Sequence, residues 1–199
     1  MREHCDPAPI YHPWRVLGRH WPHVIVEHTD DLPPGHRADT NGVDEIRMRR
    51  RLMQVERRCS LTHELIHLEH GHTGACTPAV EAAVDEEAAR RLIPWERLLA
   101  AVRWARSEEE LADELWVTVR MLRARVAVLR ADELLEIARA AHDAHHILPD
   151  VEETPMTDPM PAEQLELGLE IREPAPTPWW AWLVEHETEG DQDTGWWGA

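Results

Sequence analysis

The chain contains no phenylalanine and no lysine, has one tyrosine, and has no long apolar run. A membrane-spanning helix needs about 18 or more apolar residues in succession, so we expect no such segment. The three cysteines, Cys5, Cys59 and Cys76, show no paired spacing. Their arrangement fits a reducing compartment and argues against a disulfide scaffold. Because the first residues, MREHCDPAPI, also lack the apolar segment of a signal peptide, we expect a cytoplasmic protein.

Positive charge is scarce, since 38 acidic residues outnumber 21 arginines and the net charge is −17. The acidic excess is concentrated in residues 149–199, which contain thirteen acidic residues and one arginine. Unspecific nucleic-acid binding requires clustered positive charge, so the composition argues against it. We interpret residues 149–199 as an acidic, mostly disordered tail with two tryptophan-containing islands, WWAWLVEH and GWWGA. Residues 1–148 are then long enough for one domain.

The N-terminal third predicts a small sheet beside a helix. Residues 13–20 begin with proline, which suits the first position of a helix. Residues 23–28, HVIVEH, alternate between apolar and polar residues as a strand does. Asn41-Gly42 is a strong hairpin signal, and the chain around Ile46 would form the returning strand.

The rest of the domain predicts helices. From about Val55 the spacing becomes helical, and Gly71 is a plausible end. Thr77 and Pro78 suit the start of a second helix, which Pro94 would end. Further helices are predicted at about residues 94–106, 107–115, 119–130 and 132–147. The expected fold class is therefore α+β, with a small N-terminal sheet packed on the first long helix and a helical C-terminal half.

The segment RCSLTHELIHLEHGH, residues 58–72, contains an HExxH sequence within the first long helix. Side chains four residues apart share one helix face, so His63 and His67 can hold one metal ion together. Glu64 lies beside the first of them, where a carboxylate can take a proton from water. With 14 histidines in the chain, a surface histidine cluster is the alternative to a metal site.

A second carboxylate pattern, on the next predicted helix, supports the metal site. Catalytic zinc usually keeps three protein ligands and an open fourth position. Glu81 can supply the third ligand, and Asp85, four residues later, can accept the other ring N–H of a ligating histidine. His70 lies one turn beyond His67, either beside the ligands or at the end of the helix. Cys59 is too far along the axis to share the ion and should be buried as a small apolar residue.

These residues resemble the ImmA/IrrE family of metallopeptidases. The resemblance rests on ERRCSLTHELIHLEHGH followed by EAAVDEEAARRLIP, and it covers roughly residues 14–130. It implies that His63, His67 and Glu81 are ligands of a zinc cofactor and that Glu64 is the general base. It also implies a regulatory endopeptidase, often encoded by a mobile element or prophage, that acts on a helix-turn-helix repressor.

A non-proteolytic function stays open beside this one: an anti-repressor or DNA-binding regulator with a structural zinc site. Residues 107–130 have the proportions of a helix-turn-helix. Three arginines lie on roughly one side of its second helix, namely Arg120, Arg123 and Arg130. A closed site with His70 or Cys76 as fourth ligand would favour this alternative, whereas an open site would favour a peptidase.

Overall fold

The computed structural model describes residues 10–145 and 180–181. In chain order they form α1 (Pro13–His20), β1 (Ile25–Thr29), β2 (Ala38–Thr40), β3 (Glu45–Arg49), α2 (Gln54–His70), α3 (Pro78–Leu92), α4 (Trp95–Ala101), α5 (Glu108–Glu114), α6 (Val119–Ala127) and α7 (Ala131–His145). The predicted α+β class is confirmed, with the sheet in the N-terminal third and helices after it. None of the helices in the described part of the chain combines the length and the apolar composition that a bilayer crossing needs.

The three strands form one sheet in the order β1–β3–β2. The β2–β3 hairpin is antiparallel and confirms the Asn41-Gly42 signal, since the side-chain oxygen of Asn41 accepts the amides of Val43 and Asp44 in the turn. Gly42 adopts a φ of +73°, which favours glycine. Strand β1 pairs with β3 in parallel, a pairing between non-consecutive strands that no local signal predicts.

One face of α2 packs on this sheet. Ile46 and Met48, two residues apart in β3, point to the same face and are fully buried. They meet Leu61, Leu65 and Leu68, which recur along one side of α2. The prediction that the small sheet packs on the HExxH helix is therefore confirmed.

The opposite face of α2 packs on the helical half of the domain. Cys59 and Ile66 belong to a core cluster with Val84, Ala88 and Leu92 of α3, which extends through the later helices. Cys59 is thus a buried core residue, as expected. Because α2 is enclosed on two sides, its polar residues between these faces are buried as well.

Arg58, a buried residue of α2, ties this helix to the chain around it. Its guanidinium donates hydrogen bonds to the backbone carbonyls of Tyr11 and Trp116 and lies over the Trp116 ring, 5.1 Å from the centroid. The buried carbonyls thereby gain partners that water would otherwise supply. α2 is consequently held from both the N-terminal segment and the end of α5.

Two helices of the C-terminal half end earlier than predicted. α4 stops at Ala101 instead of residue 106. The amides of Trp104 and Ala105 both donate to the carbonyl of Ala101, so the chain forms a turn there before Ser107 caps α5 in an extended conformation. α6 stops at Ala127 instead of residue 130. α7 is described up to His145, and the predicted remainder lies outside the described residues.

The predicted acidic tail, residues 149–199, lies outside the described residues apart from a turn at Trp180 and Ala181. Trp180 is partly buried and packs against the helical core cluster. One tryptophan of the WWAWLVEH island therefore lies on the domain.

Candidate metal centre

α2 and α3 bring three candidate ligands together. The Nε2 atoms of His63 and His67 are 2.8 Å apart, and the Oε2 atom of Glu81 lies 3.2 Å from the first and 3.5 Å from the second. Tetrahedral ligands at zinc bond lengths of about 2.0–2.1 Å lie about 3.3 Å from one another. This triangle of two nitrogens and one carboxylate oxygen therefore fits a single metal ion.

Local sequence explains how α3 presents Glu81. The Thr77 hydroxyl accepts the amide of Val80 at the start of the helix, and Pro78 occupies its first turn. Glu81 lies in the same first turn, one turn before Asp85 on the same face. Both carboxylates therefore face α2 from the beginning of α3, as their spacing predicts.

The ring of His63 is held from both sides. Its Nδ1 atom lies 2.9 Å from Oδ1 of Asp85, whose other oxygen is 3.4 Å from the Arg120 guanidinium. Burial alone would lower the pKa of His63, but hydrogen bonds to Asp85 and Glu81 outweigh it and raise this pKa to about 9. Asp85 is thus in contact with His63, and Arg120 is an additional neighbour from α6.

Glu81 carries the complementary charge. Burial would raise the pKa of its carboxyl, but hydrogen bonds to His63 and His67 outweigh burial and lower this pKa to about 2. Without a metal ion the cluster therefore combines an anionic Glu81 with a proton on His63. A divalent cation would displace that proton and take its place between the same atoms.

Glu64 is buried between these groups, with 2% of its surface exposed. Its Oε1 atom has no hydrogen-bond partner among the described residues. Burial raises the pKa of Glu64 to about 8, with His63 opposing the shift and Asp39, Glu81 and Asp85 adding to it. A buried carboxyl oxygen without a protein partner calls for water or a cation beside it.

His70 lies apart from the three ligand atoms. Its ring nitrogen Nε2 is 2.9 Å from Oε2 of Glu87, and half of its side chain is exposed. Of the two interpretations of this residue, the structure favours a histidine at the exposed end of α2. Glu87, the partner of His70, lies on a different face of α3 from Glu81. The His70 ring is therefore directed away from the three candidate ligand atoms.

His72 contacts the site although sequence reasoning did not select it. Its Nδ1 atom is 3.1 Å from Nδ1 of His67, and Sγ of Cys76 is 3.7 Å from the same His67 nitrogen. Gly71 has a left-handed φ of +66° and ends α2, as predicted. Residues after this glycine no longer follow the periodicity of the helix, so the position of His72 could not be derived from residue spacing.

The three arginines considered for DNA binding are each engaged by a carboxylate: Arg120 pairs with Asp85, Arg123 with Glu108, and Arg130 with Asp132. Phosphate contacts would have to compete with these ion pairs.

A protein-family model supplies the family of this chain. The model of the peptidase M78 family, described as the IrrE N-terminal-like domain, matches residues 23–127, more than half of the 199 residues. The chain belongs to this family. The expected ImmA/IrrE membership is thereby confirmed, and it makes the chain a member of a metallopeptidase family. No curated protein and no solved structure matches it.

The segment matched to the M78 family runs from the sheet to α6 and includes His63, His67 and Glu81. The match covers the sequence of the domain, and the structure adds that these three side chains lie close enough together to hold a metal ion. Together they support a metal-dependent peptidase in general terms.

Proposed function

We propose that this protein is a zinc-dependent regulatory endopeptidase. His63, His67 and Glu81 would hold the zinc ion, and Glu64 would act as general base. The observation that carries the proposal is the triangle of ligand atoms, 2.8–3.5 Å apart, with the buried Glu64 carboxyl beside it. Two imidazoles and one carboxylate form a ligand set that is typical of catalytic zinc and leaves a position open.

Each residue of the cluster has a defined task in this proposal. Zinc supplies Lewis acidity, which polarises a carbonyl and makes water a better nucleophile near neutral pH. Glu64 accepts the proton of the attacking water and delivers it to the leaving amine. A cation near its carboxyl lowers the pKa from the metal-free value of about 8 and makes the carboxylate available as a base. Asp85 holds the proton on Nδ1 of His63, so that Nε2 is the nitrogen that would bind the ion.

A protein substrate fits the surroundings of this cluster. β2 is an edge strand of the described sheet and packs on α2. An extended peptide can add to a free strand edge through backbone hydrogen bonds. We propose that the substrate segment binds there in extended form, so that its scissile bond lies near Glu64. From the family resemblance we further propose a cytoplasmic helix-turn-helix repressor, encoded by a mobile element or prophage, as the substrate.

Co-expression with a candidate helix-turn-helix repressor encoded beside this protein tests the proposal. Repressor level and promoter output would be followed for the wild type, Glu64→Gln and Glu81→Ala. We expect only the wild type to remove the repressor, with zinc retained in Glu64→Gln and lost from Glu81→Ala. Glu114→Gln, a change at an exposed position of α5, is the control and should behave as the wild type.

The same experiment separates proteolysis from the non-proteolytic alternative. If Glu64→Gln opens the promoter as the wild type does, and the repressor stays whole in both, the protein acts by binding and the zinc site is structural. Full zinc occupancy in Glu81→Ala would remove Glu81 from the ligand set.

A further inference from the structure

The ring of His67 is contacted at both of its nitrogens. Its Nε2 atom belongs to the proposed zinc centre, 2.8 Å from Nε2 of His63. Its Nδ1 atom faces away from that centre, toward Nδ1 of His72 and Sγ of Cys76. These three atoms lie within 4.8 Å of one another and form a second group that could hold a metal ion.

The distances in this second group fit tetrahedral coordination. With zinc–nitrogen bonds of about 2.0–2.1 Å and zinc–sulfur bonds of about 2.3 Å, nitrogen ligands lie about 3.3 Å apart and a nitrogen and a sulfur about 3.6 Å apart. The observed separations from His67 Nδ1 are 3.1 Å to the His72 nitrogen and 3.7 Å to the Cys76 sulfur. In the metal-free protein both neighbours lie within hydrogen-bond distance of this nitrogen, so one ion could replace the shared protons and bind all three atoms.

The position of His72 is built into the fold. At the end of α2 the amide of His72 donates to the carbonyl of His67, and the amide of Gly71 donates to that of Leu68. This paired pattern after a left-handed glycine folds the chain back over the last turn of the helix. The backbone of His72 also packs on the β2–β3 turn so closely that a Cβ atom on Gly42 would lie 2.1 Å from its carbonyl oxygen.

Cys76 is anchored from the other side. It directly precedes Thr77, whose hydroxyl caps α3, and that helix carries Glu81 in its first turn. Burial and the neighbouring Glu81 raise the pKa of the Cys76 thiol, so the thiol keeps its proton when no metal is bound. An ion that binds there must form a bond to sulfur and release this proton to solvent, as metal binding to cysteine generally does.

We propose that His67 Nδ1, His72 Nδ1 and Cys76 Sγ form a second metal site that is selective for thiophilic ions such as Cd²⁺ and Cu⁺. The site would also bind Zn²⁺ that is supplied beyond the amount bound at the first centre. Thiolate and imidazole ligands favour these ions over Mg²⁺ or Ca²⁺. The second site shares the His67 ring with the proposed zinc centre. Because a ring that binds metal at both nitrogens must lose both of its protons, the second ion binds more weakly than it would to an independent ring. This inference holds whether or not the protein is a peptidase.

Titration of the full-length, chelator-treated protein with Co²⁺ tests the second site. A thiolate bound to Co²⁺ produces a charge-transfer band in the near ultraviolet, whereas imidazole and carboxylate ligands do not. We expect this band in the wild type and in Glu81→Ala, which lacks a ligand of the first centre. Cys76→Ser should lose the band, and His72→Ala should need at least about tenfold more Co²⁺ to produce it.

Two matched variants control for the other cysteines and histidines. Cys5→Ser replaces another thiol, and His28→Ala replaces another exposed histidine, in β1; both should keep the wild-type band. A band that persists in Cys76→Ser, or that never forms in the wild type at excess Co²⁺, would overturn the proposal. Loss of the band in Glu81→Ala would also overturn it, because Cys76 would then be a fourth ligand of the first centre.

Discussion

Replacing Glu64 by glutamine should stabilise the metal-free protein at neutral pH. The carboxyl is 2% exposed, and burial raises its pKa from 4.5 to about 8. An acid whose pKa is higher in the folded state contributes stability that is fully present below pH 4.5 and is lost as the pH rises through 8. Glutamine has nearly the same shape as the protonated acid and does not ionise. The Glu64→Gln variant should therefore not lose this stability as the pH rises.

The size of the effect follows from the two pKa values. At pH 7 the unfolded chain has released the proton of Glu64, whereas most folded molecules still hold it. The difference corresponds to about 3 kcal/mol of unfolding free energy. For a domain of this size it amounts to a shift in melting temperature on the order of 10 °C. Below pH 4.5 the wild type and Glu64→Gln should unfold alike.

Thermal and urea unfolding of chelator-treated protein between pH 4 and pH 9 would measure this difference. His63 and Glu64 shift each other's pKa, so the difference between the two pH profiles reports this pair of residues together. Glu114→Gln, at an exposed position of α5, serves as the control for the loss of one carboxylate. Saturating zinc should reduce the difference in unfolding free energy between the wild type and Glu64→Gln, because a nearby cation stabilises the carboxylate. Parallel pH profiles of the wild type and Glu64→Gln in the metal-free state would refute the argument that Glu64 is buried as an acid.

Two further predictions concern the support of the site. Asp85→Asn should weaken zinc binding about tenfold or more, because the hydrogen bond to His63 loses its charge. Competition with a chromophoric chelator measures the zinc affinity. An unchanged affinity would exclude Asp85 as a positioning residue. Gly42→Ala should melt well below Gly35→Ala: both glycines have positive φ, a strain of about 1–2 kcal/mol for alanine, but only at Gly42 would the new Cβ meet the carbonyl of His72. Equal melting temperatures would contradict that contact.

Local signals predicted the elements that carry the site. Gly71 ends α2, and Thr77 with Pro78 begins α3, as short-range hydrogen bonds and sterics require. The i, i+4 spacing also brought His63 and His67 onto one face of α2, and Glu81 and Asp85 onto one face of α3. These relations hold within one or two helical turns, so they could be derived without knowledge of the fold.

Contacts between distant segments could not be derived in this way. His72 lies behind His67 because the chain reverses after Gly71 and rests on the β2–β3 turn. Arg120 reaches Asp85 because α6 packs on α3. Both contacts depend on loops without periodicity and on the packing of whole helices, which residue spacing does not encode.

The order of helices and strands, the two pairs of candidate site residues and the resemblance to a metallopeptidase family all follow from the residues and their spacing. The parallel pairing of β1 with β3, and the enclosure of α2 between the sheet and the helical half, became evident from the three-dimensional structure. That enclosure removes water from Glu64 and raises its pKa. Residue spacing is enough to select Glu64 as a candidate base, but the pKa of its carboxyl depends on how much solvent the rest of the fold excludes.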